Sequence, residues 1–259
     1  MQKSTQVAIV IPARYASSRF PGKPLISING ITMIERVYRQ AQKCKLADHV
    51  LVATDDERIQ AAVINFGGKV IMTAATHNSG TDRLAEVATL HPEFDIIINV
   101  QGDEPLISPD TIDAVIQPLL SDAKVEMSTV AALITDEHEI NNSTVVKVVF
   151  DGAGNALYFS RLPIPYVREA AEAANTKYFA HIGLYAYTRK ALLKISRSAQ
   201  TMLERAESLE QLRALEQQIK IRVVQVCSRS PAVDRPEDIA AVERALTELS
   251  TTEHVATNS

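Results

Sequence analysis

The chain of 259 residues has only two cysteines, Cys44 and Cys227, far apart and without a CxxC partner. That excludes a disulfide framework or a cysteine-built metal site, and two reduced thiols are expected. It also lacks a basic excess. Lys and Arg number 27 against 31 Asp and Glu, a net charge of −4. A nucleic-acid partner calls for a basic surface, so none is expected. A small phosphate ligand needs only a local cluster of cations and stays open. Long apolar runs are missing too. The run near the start, residues 7–12, is too short for a signal-peptide core or a membrane span. A cytoplasmic protein with no membrane partner is the expectation. There is no internal repeat and no low-complexity stretch. Neither GxxxxGK[ST] nor GxGxxG occurs, so the two familiar glycine-rich phosphate loops are excluded.

What is present is ordinary globular composition, 46% hydrophobic and 22% charged, long enough for one domain over residues 1–250. Short β-rich runs at 7–11, 49–53, 69–72 and 95–100 alternate with helical stripes at 32–45, 57–66, 82–90 and 109–120. This order predicts an α/β fold with a mostly parallel central sheet and helices on both faces. Several of these strands are apolar on both sides, as a covered sheet requires. The rhythm breaks near residue 121. Strands at 126–134, 144–150, 156–160 and 181–188 read as a smaller antiparallel lobe over 121–187. A helix at 208–217, a strand at 221–226 and a helix at 236–249 close the fold. Residues 251–259 read as a frayed polar tail.

Chemistry concentrates in a few places. The loop after the first strand carries Arg14, Ser17, Ser18, Arg19 and Lys23. Three cations and two hydroxyls at a strand's carboxyl end suit a triphosphate. A solvated basic loop has the same composition. Asp103 lies in Gln-Gly-Asp-Glu-Pro just past the strand at 95–100. Taken alone this is turn chemistry, but a carboxylate there can also hold Mg²⁺. The Gln101 amide beside it can both donate and accept. Asp234 opens Asp-Arg-Pro-Glu-Asp, where Glu237 and Asp238 read as helix-start residues. Asp55 and Asp56 read as an N-cap cluster. His181, Gly183 and Tyr185 alternate on one strand and share a face.

The first loop, IPARYASSRFPGKPL, resembles the opening signature of the sugar nucleotidyltransferases, most of all the 3-deoxy-manno-octulosonate (Kdo) cytidylyltransferases, the CMP-Kdo synthetase family. Seven further blocks follow in that family's order: ATDDERI, SGTDRLAEV, NVQGDEPLI, ALYFSRLPIPY, HIGLYAY, ESLEQLRALE and AVDRPEDI. Together they cover nearly the whole chain. The resemblance implies a Rossmann-like nucleotidyltransferase fold and transfer of CMP from CTP to an acidic sugar, Kdo or a close analogue, in a homodimer. It implies phosphate binding by Arg14, Ser17, Arg19 and Lys23, with Arg14, Arg19, Lys23 and Asp103 catalytic. Mg²⁺ would be held by Asp103 and Asp234. Ser79, Gly80, Arg83 and Gln101 would serve the nucleotide, and His181, Tyr185, Glu210 and Gln211 the sugar. Arg161 could meet a carboxylate or brace the lobe. Three positions depart from the family pattern. Ala180 stands where many relatives have a basic residue, Glu169 replaces an aspartate, and Arg235 replaces a threonine cap whose loss costs on the order of 1 kcal/mol.

Overall fold

The computed structural model describes residues 4–16, 20–77 and 79–256, without the side chains of 170 and 249–256. Ser17, Ser18 and Arg19 of the first loop lie outside the described residues. In chain order the elements are β1 (Val7–Ala13), β2 (Ser27–Ile28), β3 (Ile31–Thr32), α1 (Met33–Ala41), β4 (His49–Thr54), α2 (Glu57–Asn65), β5 (Val70–Met72) and α3 (Gly80–Leu90). Then come β6 (Ile96–Asn99), α4 (Pro109–Ser121), β7 (Met127–Leu133), α5 (Glu137–Asn141), β8 (Lys147–Phe150), β9 (Ala156–Ser160) and β10 (Phe179–Thr188). The chain closes with α6 (Arg189–Arg197), α7 (Met202–Glu207), α8 (Gln211–Glu216), β11 (Ile221–Val226) and α9 (Ile239–Ala256).

Seven strands run side by side in the order β11-β7-β10-β6-β1-β4-β5. Along that path β6, β1, β4 and β5 are mutually parallel, and β11 is parallel to β7. Only β10 runs against its neighbours, β6 and β7. The expected α/β class with a mostly parallel sheet therefore holds. Its physical basis is visible in β1. Val7, Ile9 and Ile11 pack with α1, α2 and α4, while Ala8 and Val10 pack with α3, α6 and α8. Every β1 residue meets a helix layer on one side or the other, so the strand has no solvent face to be polar on.

The segment 121–187 does not form one lobe. Its two longest strands, β7 and β10, are built into the central sheet. Only the β8–β9 hairpin leaves that path, touching β10 where Lys147 faces Ala180. The helix expected at 32–45 stops at Ala41. There Asp113 accepts from the backbone N–H groups of Lys45 and Leu46 and from the Cys44 thiol, which turns the chain away. Both cysteines are free thiols, and burial pushes that of Cys44 up to about 12. Helices α6 and α7 occupy a stretch for which the periodicity gave no element. Ser208 adopts left-handed φ of 52°, so the helix expected from 208 starts only at Gln211. Helical backbone continues to Ala256, through most of the stretch expected to fray.

Candidate active site

Three loops meet beyond the carboxyl end of β1, and Pro12 is where they touch. A Cβ on Gly80 would lie 3.3 Å from the Pro12 ring, and one on Gly102 3.1 Å from the Pro12 carbonyl oxygen. Glycine at both positions lets the start of α3 and the Gln101–Pro105 turn pack onto the first strand. The first loop closes on itself. Gly22, at φ +72°, donates its N–H to the Tyr15 carbonyl at 2.9 Å, and the Arg58 guanidinium covers the Tyr15 ring at 3.3 Å. Arg14 stands exposed where β1 ends.

Lys23 follows Gly22 and reaches the acidic turn. Its Nζ donates to Asp103 Oδ2 and to the Val233 carbonyl, each at 2.8 Å, and lies 3.7 Å from Asp234 Oδ1. Two carboxylates separated by 131 positions in sequence thus converge on one ammonium group. Their oxygens can be no farther apart than the sum of the two lengths, about 6.5 Å. The loop carrying Asp234 is docked on the turn carrying Asp103 through Val233 N–H to Asp103 C=O at 2.9 Å and Ser230 Oγ to Leu106 C=O at 2.8 Å. Val233 itself is buried with Ile28, Met33, Leu106 and Val242, so α9 holds this loop in place.

The arginine at 235 does not leave the turn unsupported. A guanidinium cannot accept a hydrogen bond, and residue 235 makes no side-chain cap. Asp238 instead accepts from the backbone N–H groups of Asp234 and Arg235, both at 2.8 Å. The missing threonine cap therefore costs only half of a reciprocal box, and Asp234 keeps a fixed backbone.

On the nucleotide side, Ser79 and Asp82 form a capping box at the start of α3. Arg83 does not reach solvent. Its side chain is fully buried, donates to Thr73 Oγ1, and lies 3.3 Å from Asp55 Oδ1. Burial lowers its pKa, offset in part by Asp55. With no exposed surface in this conformation, the side chain expected to read the base is turned inward. The side chain instead ties α3 to the end of β4. Asp56 is the N-cap of α2, but Asp55 is not part of that cap. The Gln101 amide is spent bridging strands, donating to Asn99 Oδ1 and the Gly183 carbonyl at 3.3 Å each.

A cleft of about 660 Å³ opens beside the paired aspartates. Asp103, Asp234, His181, Tyr185 and Gln211 line it together. His181 and Tyr185 face the cleft from β10 with Gly183 between them, as the strand alternation predicts. The His181 imidazole is pushed down to about 3 by burial and shares a hydrogen bond with Thr129 Oγ1 at 3.0 Å. It is neutral at ordinary pH. Burial also keeps the Tyr185 phenol protonated. Glu104 lines the cleft as well, its carboxyl raised to about 8 by burial and by Asp103.

Glu210, one of the expected sugar contacts, lies elsewhere and does not line this cleft. It accepts from Thr81 Oγ1 on α3 and faces Arg213 at 3.8 Å, which places it behind the nucleotide helix. Arg161 braces rather than binds, donating to the carbonyls of Glu207 at 2.6 Å and Ser143 at 3.1 Å. Ala180 is buried on the other face of β10 from His181. Its departure from the basic residue of relatives therefore concerns packing beside the buried Lys147. The residues missed by sequence reasoning are Thr73, which accepts from Arg83, and Glu104 and Arg229, which line the cleft. Glu104 could have been suspected from its place beside Asp103. The other two carry no local signal.

Among the described residues no group of three or more His, Cys, Asp or Glu side chains gathers as a metal cage. Two carboxylates on one cation are what a Mg²⁺ site completed by substrate phosphates needs. The ammonium held between Asp103 and Asp234 shows that the pair accommodates positive charge.

The sequence profile of the family described as Cytidylyltransferase matches residues 8–221. A 3-deoxy-manno-octulosonate cytidylyltransferase of Geobacter metallireducens is 49% identical over 249 residues, covering 93% of this chain and 98% of that protein. One of Chlamydia pneumoniae is 48% identical, covering 93% and 94%. Among solved structures, a CMP:2-keto-3-deoxy-manno-octonic acid synthetase complexed with CTP superposes with a TM-score of 0.90 at 45% identity, covering 94% of this chain and 99% of that one. A 4-diphosphocytidyl-2C-methyl-D-erythritol synthase of Anaerococcus prevotii, 14% identical with a TM-score of 0.64 over 94% of this chain and 99% of that one, shares the fold. A profile that spans most of the chain and relatives near half identical over nine-tenths of it place the chain in the 3-deoxy-manno-octulosonate cytidylyltransferase family.

Proposed function

We propose that this enzyme transfers CMP from CTP to the anomeric hydroxyl of Kdo, giving CMP-Kdo and pyrophosphate for lipopolysaccharide synthesis. The observation that carries this reading is the meeting of Asp103 and Asp234 on Lys23 at the side of the cleft lined by His181, Tyr185 and Gln211. The nucleotide loops and the acceptor cleft share that acidic corner. The hydroxyl oxygen forms a bond to the α-phosphorus as the bond to pyrophosphate breaks on the opposite side. Arg14 and Lys23 offset charge on the leaving phosphates. Asp103 and Asp234 are the residues that would hold Mg²⁺. A bound magnesium ion supplies Lewis-acid polarisation of the phosphate and a more acidic sugar hydroxyl. Lys23, now paired with both acids, would be released to face the phosphates once another cation neutralised that pair. Neutral His181, Tyr185 and Gln211 orient the acceptor through hydrogen bonds.

The test is pyrophosphate release from CTP and Mg²⁺ with a panel of acidic sugars. Kdo is expected to give the highest kcat/KM. Faster turnover of an 8-amino Kdo analogue would move the acceptor assignment, and no release with any sugar would favour a noncatalytic nucleotide sensor.

We also read the protein as a homodimer acting in the cytoplasm, where nucleoside triphosphates are at hand. Among the described residues no helix is long and apolar enough to cross a membrane. Leu157, Leu162 and Tyr166 are 61%, 69% and 86% exposed on and just after the β8–β9 hairpin. Large apolar side chains so exposed along one short stretch favour burial against a second copy. Light scattering at micromolar concentration is expected to give twice the chain mass, and Leu162→Glu is expected to lower it. A monomeric wild type rejects the dimer.

A further inference from the structure

The cleft that would take the acceptor has a charge problem. Asp103 and Asp234 line it as carboxylates, yet an acidic sugar brings another. Such a group leaves water only for a cation or several donors. Among the described residues lining the cleft, Arg229 is the one lysine or arginine. Lys23 is taken by Asp103, and the Arg161 guanidinium is turned to backbone carbonyls.

Arg229 lies in the loop after β11 that also carries Asp234. Its guanidinium pairs with Glu139 on α5, 90 positions away in sequence. The wall on that side continues through Thr144, Val145 and Val146. The two side chains are 32% and 33% exposed, so the pair is open to water, and Arg229 also lines the cleft. An exposed ion pair contributes little net stability, because water screens it and two long side chains must be held. It can therefore exchange one carboxylate for another at small cost. A bidentate guanidinium–carboxylate contact with a sugar held by the rest of the cleft is stronger, since the ligand is pre-positioned.

We infer that Arg229 is a specificity-determining residue for the acceptor, exchanging Glu139 for the carboxylate of the acidic sugar when the cleft fills. This rests on the reaction proposed above. It adds the residue that reads the acid group and a partner that keeps that residue in place beforehand.

The experiment is a cycle over two enzymes and two ligands. Wild type and Arg229→Gln are assayed for the KM of Kdo, and for inhibition by the C1 carboxamide of Kdo, which keeps the shape and removes the charge. Arg229→Gln is expected to raise the KM for Kdo roughly ten- to hundredfold, the worth of one charge-assisted contact, with the KM for CTP unchanged. Inhibition by the carboxamide should hardly respond. Arg229→Lys should recover part of the loss, and Glu139→Gln should lower the KM for Kdo by freeing Arg229. The inference is overturned if Kdo and the carboxamide weaken equally, or if neither responds to Arg229→Gln. It is overturned as well if Glu139→Gln raises the KM for Kdo as much as Arg229→Gln, since the pair is then only a strut. The wild-type rate with Kdo reports separately on the proposed reaction, so the two readings can fail independently.

Discussion

The nucleotide side and the acceptor side of the site are made from different kinds of chain. On the nucleotide side each segment follows directly on a strand of the parallel half-sheet. The first loop leaves β1, and the Gln101–Pro105 turn leaves β6. Parallel strands end on the same edge, so short segments far apart in sequence are brought together by the sheet itself. The acceptor side has no such rule. His181 and Tyr185 come from the one antiparallel strand of the seven, Gln211 from a helix of six residues, and Arg229 from a loop pinned to a distant turn. Long-range packing places these groups, and a change in any of several elements can move them. The comparison teaches that the proposed phosphate contacts are fixed by sheet geometry, while the proposed acceptor contacts come from parts that can vary.

The hardest test of this contrast is at the corner where the two sides meet. Asp103→Asn and Asp234→Asn each keep size and hydrogen bonding but remove the charge that Mg²⁺ requires. Each is expected to lose roughly a hundredfold or more in kcat with little change in melting temperature, and higher Mg²⁺ should restore part of the rate. If instead stability falls and turnover persists, the pair belongs to the turn alone. The rate of pyrophosphate release and a melting curve on each variant decide between these outcomes.

Lys23→Ala comes next. It removes the cation between the two acids and the one proposed to meet the phosphates. A roughly tenfold rise in the KM for CTP is expected, with a fall in kcat and no change in the KM for Kdo. A rise confined to Kdo would place Lys23 on the acceptor side and blur the division. A second readout is Mg²⁺ itself. Without its internal competitor the acid pair should bind the ion more tightly, which a calorimetric titration of the ligand-free variant would show.

Much of the nucleotide side was legible in the sequence because its signals are local. A strand, a run of cations and a glycine-bearing turn can be read within a dozen residues, and Asp103 stands at a strand end as periodicity says. That Asp103 meets Asp234 was implied only by family resemblance, since no local signal connects them. The burial of Arg83 has no local sign. The sequence shows an arginine one turn into a helix, but not that Asp55 and Thr73 close over it. The hairpin region misled. Its antiparallel pairing is real, yet β7 and β10 join the main sheet, because β10 pairs along its length with β7 on one edge and with β6 on the other. Arg229 was invisible. A lone cation in a polar loop has no meaning until the fold shows what it faces.

A smaller effect sharpens the acceptor side. His181 has an ordinary value of 6.5 and is pushed down to about 3 in the folded chain. The unfolded chain therefore binds a proton that the folded chain refuses. Stability from this source is complete above about pH 6.5 and is lost progressively as pH falls toward about 3. His181→Gln should flatten the acid side of a stability-against-pH curve. The pH profile of kcat/KM in wild type should show no step near 6.5 assignable to this ring. A protonation seen there by NMR would mean that the cleft is wetter than its packing implies.

The smallest expected effect belongs to Glu210, and it bears directly on where the division between the two sides runs. The family resemblance puts this residue around the sugar, whereas the structure turns it toward Thr81 at the start of α3. Burial already raises its pKa, so exchanging the carboxyl for an amide removes less charge stabilisation than at an open site. Glu210→Gln retains an oxygen that can accept from Thr81, and it keeps the length of the side chain. The cost is then about 1 kcal/mol of stability, from weaker contacts to Thr81 and Arg213. Because Ser79, Gly80 and Thr81 open the helix on the nucleotide side, any kinetic change should appear in the KM for CTP, within a few-fold, and not in the KM for Kdo. A tenfold rise in the KM for Kdo, with CTP unaffected, would return Glu210 to the acceptor side. It would also require α8 to rotate on substrate binding, since in the present arrangement Gln211, not Glu210, faces the cleft.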